Sequence, residues 1–162
     1  MAIRVETKGG GTATPREGEE VPFRLSNHWP LSRLWCLETE PKVLAFLWEE
    51  GGSDISVAAV EVIDRRTGKT RWFTVIETFQ VGNPLLLEDA IVVAGSTSVA
   101  KIELQHGAVV WRHIQYDKVL GEADRPRLDV DRVEVSYPGT GARLLLDLRT
   151  GRPLPGDDPG RK

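Results

Sequence analysis

The sequence predicts an all-β fold, an antiparallel meander of about three hairpin units, and two observations carry that expectation. The segment Asp64 to Trp72, DRRTGKTRW, returns in weakened form as Glu103 to Trp111, ELQHGAVVW, and in broken form as Asp147 to Pro155. Around these segments the chain consists of short runs rich in Val, Ile, Leu and Ala, separated by polar turns bearing Gly or Pro. That is the pattern of paired strands.

The physical content of the repeat emerges when Gly68, Gly107 and Gly151 are aligned. A carboxylate stands four residues before each glycine, as Asp64, Glu103 and Asp147, and an aliphatic residue precedes each, as Ile63, Ile102 and Leu146. Glycine adopts positive φ without steric cost, and an acidic side chain can accept hydrogen bonds from turn amides. Each segment therefore reads as a tight reversal between antiparallel strands. Trp72 and Trp111 lie four residues past their glycines, where a large ring can fold back over a turn and seal a sheet edge; Pro155 takes that place in the third copy.

The strands follow in order. Ile3 to Thr7 is a candidate short strand, followed by Gly9, Gly10, Gly11, Pro15 and Gly18, a composition that favours a flexible arm over 1–20. The alternative role of that arm is to add its strand to an open sheet edge. Phe23 and Leu25 alternate with polar residues; beyond Pro30, Leu31 to Leu37 reads as a strand, although its spacing also suits a helical turn. VLAFLW and ISVAAVEVID flank the polar EEGGSD turn as a hairpin within Lys42 to Asp64, and Thr70 to Phe79 continues as a third strand. The pattern recurs with Leu85 to Leu87, then AIVVAG and SVAKIEL about Gly95 to Thr97, then AVVWRHIQY. In the last unit Arg127 to Val130 precedes DRVEVSY and ARLLLDL, which flank Pro138 to Gly141. Pro153, Pro155 and Pro159 then oppose a full closing strand, so the third unit is expected to lack its last one.

A chain of 162 residues is long enough for one domain with a real core, two small domains being the alternative. The organisation expected is an arm over 1–20, an all-β repeat domain over 21–155 and a disordered tail over 156–162. Hydrophobic content of 40% and charged content of 28% are ordinary for a globular chain. A formal charge of −3 argues against broad nucleic-acid or anionic-membrane binding. The single cysteine, Cys36, allows neither an internal disulfide nor a cysteine-based zinc site. The first residues lack the apolar core of a secretory signal, and no run approaches a membrane helix, so the expected location is cytoplasmic.

DRRTGKTRW resembles the blade motif of quinoprotein-type propellers, the PQQ-like repeats, in which an acidic residue and a Thr-Gly turn precede a tryptophan. Asp64, Thr67, Gly68 and Trp72 all match; the second copy keeps Gly107 and Trp111 with Glu103 for the acid, and the third keeps Asp147, Thr150 and Gly151. The resemblance covers roughly residues 43 to 155 and implies structural roles: the matched residues hold turns and dock neighbouring blades. The glycine spacings of 39 (68 to 107) and 44 (107 to 151) residues agree with one four-stranded blade each. Closed propellers typically use about four to eight blades, so three blade-like units imply association of chains or strand addition by the arm. The residues alone leave open a single β-barrel or sandwich.

Candidate chemistry is sparse. His28 and Cys36, eight residues apart, are not placed together by a strand or loop, and Cys36 reads as a buried thiol. His106 and His113 read as ordinary histidines. Asp129, Asp131 and Glu134 lack the glycine-bearing calcium loop; Asp129 and Asp131 are expected on one strand face, solvated beside Arg127 and Arg132. The Gly9 to Gly11 run lacks the Lys-Ser/Thr ending of a phosphate loop. Trp48, Trp72 and Trp111 are expected between sheets, whereas His28 and Trp29, next to Pro30, form a candidate binding surface. No catalytic, metal or cofactor residues are assigned. The expected function is a non-catalytic interaction or assembly module whose partner is a protein, including a second copy as a homodimer. The alternatives are a small-molecule or sugar-binding barrel and a hydrolase using carboxylates.

Overall fold

The computed structural model describes residues 3–6, 10–13, 21–40, 43–51, 56–115 and 119–155. Fourteen strands are assigned and, among the described residues, no helix. The chain divides into two compact units, Met1–Ile76 and Glu77–Lys162.

The first unit contains two antiparallel sheets. Strands β1 (Ile3–Glu6), β2 (Gly10–Ala13) and β3 (Val21–Arg24) form one, in the order β1-β2-β3. The first twenty residues thus hold two strands where one was expected. GGTA carries no hydrophobic alternation to announce β2, and its place comes from main-chain pairing with a strand on each side. Strands β4 (Leu31–Glu40), β5 (Val43–Gly51), β6 (Ser56–Asp64) and β7 (Thr70–Ile76) form the second sheet in sequence order. β7 ends three residues short of the expected Phe79. The turn between β5 and β6 falls at 52–55, outside the described residues.

The continuous apolar run of β5 has a direct cause. Successive side chains point to opposite faces, and both faces are covered. Leu44, Phe46 and Trp48 enter one cluster with Leu25, Ala59 and Ile63, while Val43 and Ala45 enter another with Val62, Leu37 and Trp72.

The second unit repeats the plan. Strands β8 (Leu85–Leu86), β9 (Ala90–Ala94), β10 (Ser98–Glu103) and β11 (Val109–Ile114) form a four-stranded sheet, and β12 (Arg127–Asp129), β13 (Arg132–Tyr137) and β14 (Ala142–Asp147) a three-stranded one. Val92, Ala94, Val99 and Trp111 from the first pack with Val133, Val135, Tyr137, Leu144 and Leu146 from the second around one core. Among the described residues after β14 there is one bridge, Leu146↔Pro153, at the register where the earlier copies pair Ile63 with Thr70 and Ile102 with Val109. The expected tail over 156–162 lies outside the described residues. Among the described residues, hydrogen bonding therefore gives four separate sheets and not the one closed sheet of the barrel held as an alternative.

Candidate binding surface

The three repeat turns share one hydrogen-bond scheme. The amide of the acidic residue donates to the carbonyl five positions on, as Asp64 to Lys69, Glu103 to Ala108 and Asp147 to Arg152, at 2.8–2.9 Å. The amides of Gly68, Gly107 and Gly151 donate back to the acidic residue's carbonyl at 2.8–3.0 Å, with φ of 70°, 77° and 69°. Asp64 Oδ1 accepts from the amides of Arg66 and Thr67, Glu103 Oε1 from Gln105 and His106, and Asp147 Oδ1 from Arg149 and Thr150. Asp147 Oδ1 also accepts from the Thr150 hydroxyl at 2.7 Å. Electrostatics follow from these contacts. The Arg71 guanidinium, then the Thr67 amide, hold the Asp64 carboxyl below the usual carboxylate range, and the Thr150 hydroxyl and amide do the same for Asp147.

Trp111 does not fold over its own turn. Its Nε1 donates to the Leu148 carbonyl at 2.8 Å, and its ring lies against Gly151, where an added Cβ would come within 2.5 Å of the indole. A residue of the second copy thus closes the turn of the third. Trp72 is half-buried beside Val43, Ala45 and Val62.

The loop that carries His28 and Trp29 is built on buried acids, Glu61 in the middle of β6 and Glu50, which with Glu49 was expected in the polar EEGGSD turn but lies buried in β5. Glu61 is fully buried in β6, and its carboxylate accepts four hydrogen bonds, two on each oxygen. The Ser26 hydroxyl (2.7 Å) and Thr70 hydroxyl (2.7 Å) donate to Oε1; the Ser26 amide (2.9 Å) and Trp48 Nε1 (3.0 Å) donate to Oε2. Glu50, also buried, takes the amides of His28 and Trp29 on a single oxygen at 2.7 and 2.9 Å. Asn27 Nδ2 closes the loop onto the Trp29 carbonyl at 2.9 Å. Glu49 accepts from the Ser32 hydroxyl at 3.0 Å and faces Arg33 Nε at 3.5 Å. With its main chain held in this way, the loop leaves Trp29 60% exposed, with His28 and Pro30 exposed beside it. The signal available in the sequence was the charge of Glu61 inside the otherwise apolar run VAAVEVI. A charge survives in such a run only where donors meet it.

Other sequence expectations need correction. Cys36 is exposed, not buried. It pairs with the fully buried Phe46 but sits on β4, the terminal strand of its sheet, which has a hydrogen-bonded neighbour in that sheet on one side only. Asp129 and Asp131 do not share a strand face, because a two-residue turn at Val130 and Asp131 separates β12 from β13. Asp129 instead pairs with Arg132, and Glu134 accepts from Arg143 at 2.6 Å. Burial keeps the His113 imidazole below its usual pKa, and its Nε2 meets Gln115 Nε2 at 2.7 Å; exposed His106 faces Glu103 at 3.6 Å. Among the described residues no three His, Cys, Asp or Glu side chains are grouped to hold a metal ion, and no helix is long and apolar enough to cross a membrane.

Successive antiparallel sheets, each traced in sequence order, three of them carrying this turn scheme after β6, β10 or β14, define a propeller-type β fold. Among solved structures, the chain is similar to the crystal structure of BamB from Moraxella catarrhalis, with a TM-score of 0.65 and 17% identity. The match covers 94% of this chain and 44% of BamB, so the chain spans less than half of that protein's length. The sequence matches no family model and no curated protein.

Proposed function

We propose that the chain is a non-catalytic protein-interaction or assembly module, built on degenerate copies of the PQQ-like repeat, that meets its partner through the loop from Ser26 to Pro30. One observation carries this reading: Trp29 is an exposed indole on a loop whose amides are pinned by buried Glu50 and Glu61. An aromatic side chain contributes most to an interface when little ordering entropy remains to be lost on binding, and this loop is already ordered. The carboxylates of Asp64, Glu103 and Asp147 accept from turn amides and that of Glu61 from four donors, which supports structural roles for these four acids. The partner in this reading is a protein, first of all a second copy of the chain.

Light scattering over a dilution series in moderate salt tests the self-association. The wild type should show a dimer mass and Trp29→Ala a monomer at the same concentration, with unchanged thermal unfolding because the indole lies outside the core. A strict monomer at every concentration refutes the homodimer, and a dimer insensitive to Trp29→Ala refutes the loop as its contact. A photo-crosslinking residue at position 29 reads partners other than itself. One dominant protein adduct is expected, and its absence rejects the loop as the docking element.

A further inference from the structure

Within the second unit, an open depression of about 580 Å³ is lined by Leu85, Asp124, Arg125, Pro126, Arg127 and Leu128. Two sheet edges border it, because β8 and β12 are each the terminal strand of their sheet. Among the described residues β12 pairs only with β13, through Arg127↔Glu134, Leu128↔Val133 and Asp129↔Arg132. The two-residue turn makes Asp129 and Arg132 the hydrogen-bonded pair that closes the hairpin, and antiparallel pairing then alternates. Leu128 therefore falls in a non-hydrogen-bonded pair, and its N–H and C=O point away from β13, towards the open edge. Pro126, one pleat earlier, offers a carbonyl and no donor.

The side chains add chemistry to that edge. Leu128 is 47% exposed although its partner Val133 is fully buried, and Leu85 is half-buried, so an aliphatic floor lies open to solvent. Arg125 and Arg127 are both exposed, and among the described residues neither forms an ion pair. Glu134, opposite Arg127, is taken by Arg143. The lining thus carries two guanidinium groups against the single carboxylate of Asp124, in a chain whose net charge is −3.

We propose that this groove is a docking site for an extended acidic peptide segment of a partner protein. The segment adds beside β12, exchanges two main-chain hydrogen bonds with Leu128, rests an aliphatic side chain over Leu85 and Leu128, and sets carboxylates against Arg125 and Arg127. The proposal rests on the interaction-module reading and names a second contact, separate from Trp29.

The test uses the full chain and labelled heptapeptides of alternating glutamate and valine, read by fluorescence anisotropy. Binding should weaken with salt and fall roughly tenfold or more in the double variant Arg125→Glu, Arg127→Glu, both positions being exposed and the fold intact by circular dichroism. A peptide N-methylated at its central valine should lose binding as well, since it cannot donate to the Leu128 carbonyl. The same peptide with lysine for glutamate should not bind. Equal affinity for the acidic and basic peptides, or no effect of the double arginine variant, overturns the site. Undiminished binding of the N-methylated peptide overturns the strand pairing. A wild-type dimer that the double arginine variant dissociates makes the occupant a second copy and overturns the acidic-peptide assignment. Trp29→Ala should leave peptide binding unchanged, so failure of this groove and failure of the Trp29 loop are read separately.

Discussion

The segment leading from one sheet to the next is held by opposite means in the two units. In the first, residues 25–30 run from β3 to β4 and deliver their donors to carboxylates: Ser26 to Glu61, and His28 and Trp29 to Glu50. In the second, the described residues 119–126 precede β12 and make the following hydrogen bonds with neutral groups. Leu120 donates to the Ser96 carbonyl, Gly121 to the Ser96 hydroxyl, Asp124 to the Ser136 carbonyl, and the Thr140 hydroxyl to the Leu120 carbonyl. A carboxylate accepts at four sites and binds more strongly than a neutral acceptor, so the first unit concentrates its restraint in very few side chains. The second spreads it over many weak bonds. Concentration leaves a rigid loop with a protruding tryptophan, and it makes the first unit vulnerable to a single substitution.

The largest expected effect tests that contrast directly. Glu61→Leu leaves the buried Trp48 Nε1 and the half-buried Ser26 amide without their acceptor, at about 1–3 kcal/mol for each unmet donor, and removes the partner of two hydroxyls besides. The total loss should reach about 4 kcal/mol or more in urea denaturation. Ser96→Ala removes one neutral acceptor and should cost about 1 kcal/mol. Equal losses for the two variants would break the comparison.

The second unit has its own point of concentration, in packing and not in hydrogen bonding. Gly141 and Gly151 share a positive φ, 71° and 69°, but an added Cβ meets nothing within 4 Å at Gly141 and strikes the Trp111 ring at Gly151. Gly141→Ala should cost about 1 kcal/mol from backbone strain alone. Gly151→Ala should cost about 2–4 kcal/mol, because a well-packed contact must also give way. Trp111→Leu in the Gly151→Ala background should recover part of the difference, and additive losses would show that the ring is not the obstacle.

A stabilising change sharpens the picture further. Val130 holds φ at 55° in the β12–β13 turn with 87% of its surface exposed, a left-handed conformation that β-branched residues resist. Val130→Gly should raise stability by up to about 1 kcal/mol, the relieved strain being partly offset by the greater freedom of the unfolded chain. A lower melting temperature would show that the valine is held by contacts worth more than its strain.

The smallest effect is on pH dependence. His113 has a folded pKa below its unfolded value, so its contribution is complete above about pH 6.5 and declines as acid charges the unfolded chain preferentially. Asp64 and Asp147 are also depressed; their contributions are present above about pH 4 and are lost as pH falls through their folded values. Acidification should therefore erode stability in two steps of the same sign, and His113→Gln should remove the first. A profile from pH 7 to 5 unaltered by that substitution would reject the assignment.

The reversals at Asp64, Glu103 and Asp147 were legible in the chain because their physics is local: acid, turn amides and glycine lie within five residues of one another. The hairpins were legible for the same reason, as apolar runs set off by polar breaks. The strand β2 was not, since GGTA has no pattern of its own, and Cys36 was misjudged because its exposure depends on β4 being a terminal strand. His28 and Trp29 could be named from their composition, but not the device that presents them. Ser26 meets Glu61 across 35 residues of sequence and Trp111 reaches Leu148 across 37, and no periodicity encodes either contact. Local hydrogen-bonding capacity and side-chain alternation belong to the sequence, whereas which distant donors complete a buried carboxylate, and whose turn a tryptophan closes, are settled only when the sheets pack.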